Sequence, residues 1–305
     1  MARDIKPLLL ANLALLGTVS LWGLSFTSSK YVLNMGFPPL SLALLRFLLA
    51  TLIIYPIQRW KSPGTVLNRH TLLPLIASSI CGITLYFFFE ANGLKLTSAS
   101  NASLIIASIP VFTIIAEYAL YRTAIGPAKL LGILLSIGGV YLIVSRGIQT
   151  KLYPGVLKGN FFMIGACLSW VGYIMISSSL KKQYSGIGLL FYQFLFGTLF
   201  LLPLAAIELR DWVFPGTIAL LNILYLGVFS SALAYFFYLY GLSRLEPVVV
   251  STYTNLVPVI GTVSGVLILH ERLLVSQILG GAAIIIGIVV INIGSLKQRL
   301  DQRVL

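Results

Sequence analysis

Short gaps rich in proline, glycine and charge divide this chain into ten long apolar runs, and no other feature limits its fold so strongly. The runs cover approximately 8–32, 38–57, 71–91, 98–120, 127–145, 156–179, 187–206, 217–240, 247–269 and 274–294. About 20 apolar residues in a helix cross the hydrocarbon core of a bilayer. The runs lack the two-residue alternation of membrane β-strands, so they read as helices. A helix also satisfies its own backbone polar groups where no water can. The gaps carry turn chemistry, as at Gly36-Phe37-Pro38-Pro39, Ser62-Pro63-Gly64, Gly126-Pro127, Tyr153-Pro154-Gly155 and Phe214-Pro215-Gly216. Only 10% of the 305 residues are charged, against about 25% in a soluble domain. Mean hydropathy of +0.97 agrees. The expected fold is an all-α integral membrane protein.

The net charge of +13 raises the question of nucleic acid. The basic residues form no patch, however, and sit mostly between the apolar runs, so no nucleic-acid partner is expected. With the N-terminus placed in the cytoplasm, 13 Lys and Arg residues fall inside and seven outside, and Arg46 lies within a run. That bias puts both termini in the cytoplasm and the chain in the cytoplasmic (inner) membrane as a multi-pass protein. The gap at 145–158, with three basic residues, runs against it. Arg3 and Lys6 before an apolar run imitate a signal peptide, but the run is long and lacks a small-residue cleavage site, so it is read as the first span. Neither an ATP-binding domain nor a Walker motif is expected. Cys81 and Cys167 sit in apolar runs without metal spacing, and His70 lies in a loop without a ligand partner. No metal or cofactor is expected.

The chain also repeats itself. Shifted by 148, Gly17 meets Gly165, Trp22 meets Trp170, Ser29 meets Ser177 and Phe88 meets Phe236. Gly93-Leu94 meets Gly241-Leu242, Ser103 meets Ser251, Pro110-Val111 meets Pro258-Val259, Leu131-Gly132 meets Leu279-Gly280 and Gly139 meets Gly287. Residues 1–148 and 149–305 each hold five spans. An odd number makes the second half enter from the opposite side. The expectation is two inverted five-helix repeats, an arrangement that secondary transporters use for alternating access.

Several of these motifs together resemble the ten-helix EamA-type exporters of the drug/metabolite transporter superfamily. They are Trp22-Gly23 with Lys30, Arg46, Gly93-Leu94 with Ser98-Ala99, Pro110-Val111, Trp170, Tyr235 through Gly241-Leu242, Pro258-Val259, His270-Glu271-Arg272 and Gly280 through Gly287. The first half carries Thr123 where the second has Glu271, a departure from the family pattern. The resemblance implies a central cavity lined by spans one, three, four, six, eight and nine, and export of small metabolites such as amino acids.

Charge within a span is costly and needs a reason. Arg46 reads as a counter-ion for a substrate carboxylate, a gate partner, or a structural partner of Glu90 or of backbone carbonyls at a helix end. Glu90, in the run Tyr86-Phe87-Phe88-Phe89, suits either a proton-coupled site or an outer-gate salt bridge. Glu271, with His270, reads as a loop-stabilising bridge. Trp22 and Trp170 lie within their spans rather than at an interfacial belt. At equivalent positions, they are candidates to face one cavity. Tyr86, Tyr173, Tyr235, Tyr238 and Tyr253 are candidate hydroxyl donors on its wall. Asn101, Asn255 and Gln193 are amides that either orient a polar solute or join helices. Pro110 and Pro258 each remove a backbone hydrogen bond within a span and are candidate hinges or kinks. The glycines of spans five and ten read as close helix contacts, in a scaffold or a dimer seam, so the chain is expected as a monomer or homodimer.

These features favour a non-enzymatic secondary carrier whose partners are a small-molecule substrate and membrane lipid, with proton coupling through Glu90 as an open reading. The cavity's few charges favour a neutral or zwitterionic solute, and its aromatic wall favours aromatic or hydrophobic amino acids. Alternatives are a lipid or amphiphile flippase and an uptake carrier for a sugar or nucleobase.

Overall fold

The computed structural model describes residues 5–304 apart from 66, 123–125, 147–154, 181–182, 246–249 and 251–252, and omits the side chains of 5–6, 145–146 and 292–304. The described residues form helices joined by short turns, with no strand among them. In chain order the helices are α1 (Ile5–Asn34), α2 (Pro39–Lys61), α3 (Arg69–Leu96), α4 (Ala99–Tyr121) and α5 (Pro127–Arg146). They continue as α6 (Val156–Leu180), α7 (Gly186–Ile207), α8 (Thr217–Arg244), α9 (Val257–Leu269) and α10 (Val275–Val304). Eight of them, α1 to α8, are long and apolar enough to cross a membrane; Val257–Leu269 and Val275–Ile291 are shorter apolar helices. The chain is a multi-pass membrane protein. The expected start of the ninth run falls partly on residues outside the description.

Helix ends follow local chemistry. Pro39 occupies the first turn of α2, where its missing N–H costs nothing. The side chains of Asn68, Ser98 and Ser185 cap α3, α4 and α7 by accepting from the backbone N–H of His70, Asn101 and Gly188. The C-caps of α4 and α9 are Arg122 and His270, both left-handed at φ 53° and 55°. These two residues are equivalent under the 148-residue shift.

Two departures from regular helix recur in both halves. Ile80–Leu85 of α3 and Tyr225–Leu233 of α8 are π-helical. Helix α4 breaks at Ala107–Ser108, and Asn255–Leu256 form the corresponding turn before α9. Pro110 and Pro258 therefore do not kink a continuous α-helix, as the sequence reading has it. Each lies in the first turn of a new helical segment, where proline is well placed.

Packing runs between the halves. Helix α1 lies against α8 and α9, α6 against α3 and α4, α2 along α7, and α5 along α10. Glycines make the closest of these contacts. A Cβ at Gly17 would stand 3.2 Å from the ring of Phe237, and one at Gly165 would stand 2.9 Å from the ring of Phe89. A Cβ at Gly241 would meet Leu15 at 2.5 Å, and one at Gly93 would meet Met163 at 2.6 Å. Each pair maps onto the other under the same shift with its halves exchanged. In the α5–α10 seam, a Cβ at Gly132 would lie 2.5 Å from the Gly287 carbonyl oxygen and one at Gly139 2.5 Å from that of Gly280. The partner number falls as the glycine number rises, so these equivalent helices run antiparallel, the relation that inverted repeats require.

Candidate functional site

The π-helical segments shape the centre of the bundle. A π turn holds one more residue than an α turn and recurs at functional positions. In α8 it presents Ser230 and Ser231, both fully buried, toward α2. Arg46 meets them there: its Nε donates to Ser231 Oγ at 2.7 Å and its Nη2 to Ser230 Oγ at 3.0 Å. The guanidinium carbon also stands 4.7 Å from the centroid of the Phe87 ring, so ring quadrupole and hydroxyl dipoles replace part of its hydration. At Gly82 of the α3 segment, equivalent to Ser230, the space a Cβ would need is taken by the Tyr173 ring.

Arg46 and Glu90 are 4% and 3% exposed. The Phe87 ring under the Arg46 guanidinium stands three residues before Glu90 in α3, which brings the two charged residues into one cluster. No ion pair within 4.0 Å joins Arg46 to Glu90, and among the described residues no hydrogen bond reaches the Glu90 carboxylate. Of the readings open for Arg46, the direct pair with Glu90 is thus not formed. Among the described residues, Asn160 Nδ2 is the one fully enclosed side-chain nitrogen or oxygen lacking a partner. The unbonded tips of Glu90, Tyr86, Tyr235 and Arg46 Nη1 are therefore not fully enclosed, and each touches space that water can reach.

Aromatic rings pack around these residues. Trp22 lies 5.2 Å from Tyr235 and 5.3 Å from Tyr238. Trp170 lies 5.0 Å from Tyr86 and 4.8 Å from Tyr173. Phe194, Phe47 and Phe87 link the two groups through successive contacts of 5.3, 5.2, 4.5 and 4.8 Å from Tyr235 to Tyr86. Both tryptophans are half-buried although they lie deep in their helices. Trp22 Nε1 donates to the Ser230 carbonyl at 3.2 Å. Gln193 anchors the other side: its Oε1 accepts from Tyr173 Oη at 3.2 Å, and its Nε2 donates to Ser78 and Ser177 at 3.0 and 2.9 Å.

The structure thus gathers Trp22, Arg46, Tyr86, Glu90, Trp170, Tyr173, Tyr235 and Tyr238. It does not gather Asn101 or Tyr253 with them. Asn101 is buried in a polar knot, donating to Thr97 Oγ1 at 2.8 Å and to Asn160 Oδ1 while accepting from Gln277 at 3.2 Å. Tyr253 Oη donates to Asn12 Oδ1 at 2.8 Å. Asn255 stands in the turn before α9. Conversely, Ser230, Ser231 and Tyr225, whose hydroxyl donates to the Leu21 carbonyl at 2.9 Å, belong to the centre without having been singled out. The match between Gly82 and Ser230 across the repeat, two small residues among large ones, was their available signal.

The sequence profile of the EamA-like transporter family matches residues 9–145 and 157–293. The chain belongs to the EamA-like transporter family. Its two profile matches coincide with the two sets of five helices. A relative described as an uncharacterized transporter, from Archaeoglobus fulgidus, is 32% identical over 280 residues, covering 91% of this chain and 95% of that protein. Protein WALLS ARE THIN 1 of Arabidopsis thaliana is 26% identical over 310 residues, covering 89% of this chain and 79% of that protein. A crystal structure 20% identical in sequence has a TM-score of 0.65 and covers 95% of this chain and 98% of its own; that likeness shows the shared fold.

Proposed function

We propose that this EamA-like chain is a secondary carrier that exports small metabolites such as amino acids, with a preference for aromatic or bulky apolar ones. In this reading ten spans cross the cytoplasmic (inner) membrane with both termini in the cytoplasm. The halves 1–148 and 149–305 rock about the central space and open it to one side at a time. One observation carries the proposal: the unbonded tips of Arg46, Glu90, Tyr86 and Tyr235 are open to water within a cluster of rings that includes Trp22 and Trp170. Charges within a bilayer are retained where a polar solute needs them, and rings supply apolar contact with little entropy loss. Broken or irregular helices at the centre support the same reading, because transporters tolerate such backbone where it lines a cavity.

The test is reconstitution in liposomes, with counterflow of labelled amino acids, sugars and nucleobases. Saturable flux of an apolar amino acid is expected. Absence of flux of every solute, together with lipid scrambling, favours a flippase and ends the carrier reading. Flux of a sugar or nucleobase alone removes the amino-acid assignment. Proton coupling through Glu90 is read from the same liposomes: an imposed pH gradient should drive or alter flux, and an indifferent flux removes that role.

A further inference from the structure

We propose that Arg46 and Glu90 form a two-charge clamp that selects solutes bearing both a carboxylate and an ammonium group, and that discriminates against analogues lacking either. The inference rests on the carrier reading and adds a rule of recognition to it.

Two opposite charges buried in one apolar cluster ordinarily recover their lost hydration by pairing. Here Arg46 stacks over Phe87, one helical turn before Glu90, yet no contact within 4.0 Å joins the two charges. Arg46 is held by its Nε and Nη2 on Ser231 and Ser230, which fixes the guanidinium plane and leaves Nη1 free among the described residues. Glu90 projects a carboxylate with no hydrogen bond among those residues. Both free ends touch space that water can reach. A guanidinium edge donates to a carboxylate in matching geometry, and a carboxylate accepts from an ammonium. An amino acid brings one group of each sign at fixed separation, and its side chain falls on the rings of Trp22 and Trp170. A solute with one charge satisfies one residue and leaves the other charge buried and unpaired, the situation that makes polar sites reject deletion analogues.

The asymmetry of the repeat supports a fixed binding orientation. The residue equivalent to Arg46 is Phe194, and the neighbouring Gln193 is spent on Tyr173, Ser78 and Ser177. The second half therefore offers no matching guanidinium, and the zwitterion is held one way round.

The experiment is equilibrium binding of labelled phenylalanine to the purified full chain in nanodiscs, competed by unlabelled phenylalanine, phenethylamine and 3-phenylpropionate. Each analogue should compete at least roughly tenfold more weakly than phenylalanine. R46Q should bring phenethylamine level with phenylalanine, and E90Q should do the same for 3-phenylpropionate. Equal competition by all three ligands at the wild-type protein overturns the clamp, as does absence of phenylalanine binding. The wild-type comparison needs no variant, so a variant that fails to fold leaves the proposal exposed to refutation. Selective binding without counterflow keeps the clamp and removes the carrier; counterflow without preference for the zwitterion does the reverse.

Discussion

The carboxylate of Glu271, in the turn between α9 and α10, caps the first turn of α4 in the opposite half: its Oε1 lies 2.7 Å from the backbone nitrogen of Ala99. Its Oε2 lies 2.9 Å from the nitrogen of Ser100. A negative charge there satisfies two backbone donors and meets the positive end of the helix dipole. Lys30 makes the complementary contact at the end of α3, donating to the Leu94 carbonyl at 2.7 Å. Removing the cap in Glu271→Ala strands two backbone donors and should cost about 1–3 kcal/mol. Glu271→Gln, which keeps one acceptor, should fall between that variant and wild type. Thermal unfolding of the purified protein in detergent reads the order, and equal melting of all three would remove the capping role.

A second carboxylate works in the same way at the start of α2. Glu208 Oε2 accepts from the backbone N–H and hydroxyl of Ser41 at 2.8 and 3.0 Å, and Trp212 Nε1 donates to that hydroxyl at 2.7 Å. The positions equivalent to Glu208 and Glu271 in the first half are Trp60 and Thr123, so both carboxylate caps are given by the second half to the first. Loosening this contact should expose the buried end of α2. In a background with both cysteines replaced by alanine, a cysteine at Leu40 should react with a membrane-impermeant maleimide several-fold faster once Glu208→Ala is added. An unchanged rate would show that the contact does not hold this end closed.

The α5–α10 seam separates two neighbouring glycines. A Cβ at Gly139 would meet the Gly280 carbonyl oxygen at 2.5 Å, whereas one at Gly138 would meet nothing within 4 Å. Gly139→Ala must push two backbones apart and should destabilise by about 1–3 kcal/mol. Gly138→Ala should be neutral or slightly stabilising, since alanine is favoured in helices by about 1 kcal/mol. A melting comparison in detergent distinguishes them, and equal effects would show that the seam is not as close as described.

Helix extents, the repeat and the convergence of Trp22 with the tyrosines were legible because each depends on local apolarity or on spacing. Hydrophobic runs placed α1 to α8 within a few residues, since bilayer thickness sets their length. The π segments were not legible. Their extra residue is accommodated by tertiary contacts such as Tyr173 over Gly82 and Arg46 on Ser230 and Ser231, and apolar content does not report these. Asn101 illustrates the same limit. An amide in a span reads identically whether it faces a cavity or ties Thr97, Asn160 and Gln277 together, and only the packing of α4, α6 and α10 separates the two. Pro110 and Pro258 were rightly paired, but whether a proline kinks a helix or starts one depends on the preceding backbone, which breaks at Ser108 and Leu256.

The tryptophans should matter unequally to flux and to folding. Trp22→Ala and Trp170→Ala each remove a half-buried ring from the aromatic cluster around Arg46 and Glu90. Counterflow should fall about tenfold or more while expression and melting temperature change little, because neither ring is enclosed. Parallel loss of expression and flux in both variants would reduce them to packing residues.

The central claim is that solute crosses through the space bordered by Arg46. The direct measurement is counterflow of labelled phenylalanine in liposomes carrying wild type or Arg46→Gln at matched protein density, with folding checked by melting temperature. Saturable wild-type flux that collapses in a folded Arg46→Gln variant is the predicted result. Flux that is undiminished in that variant would contradict it.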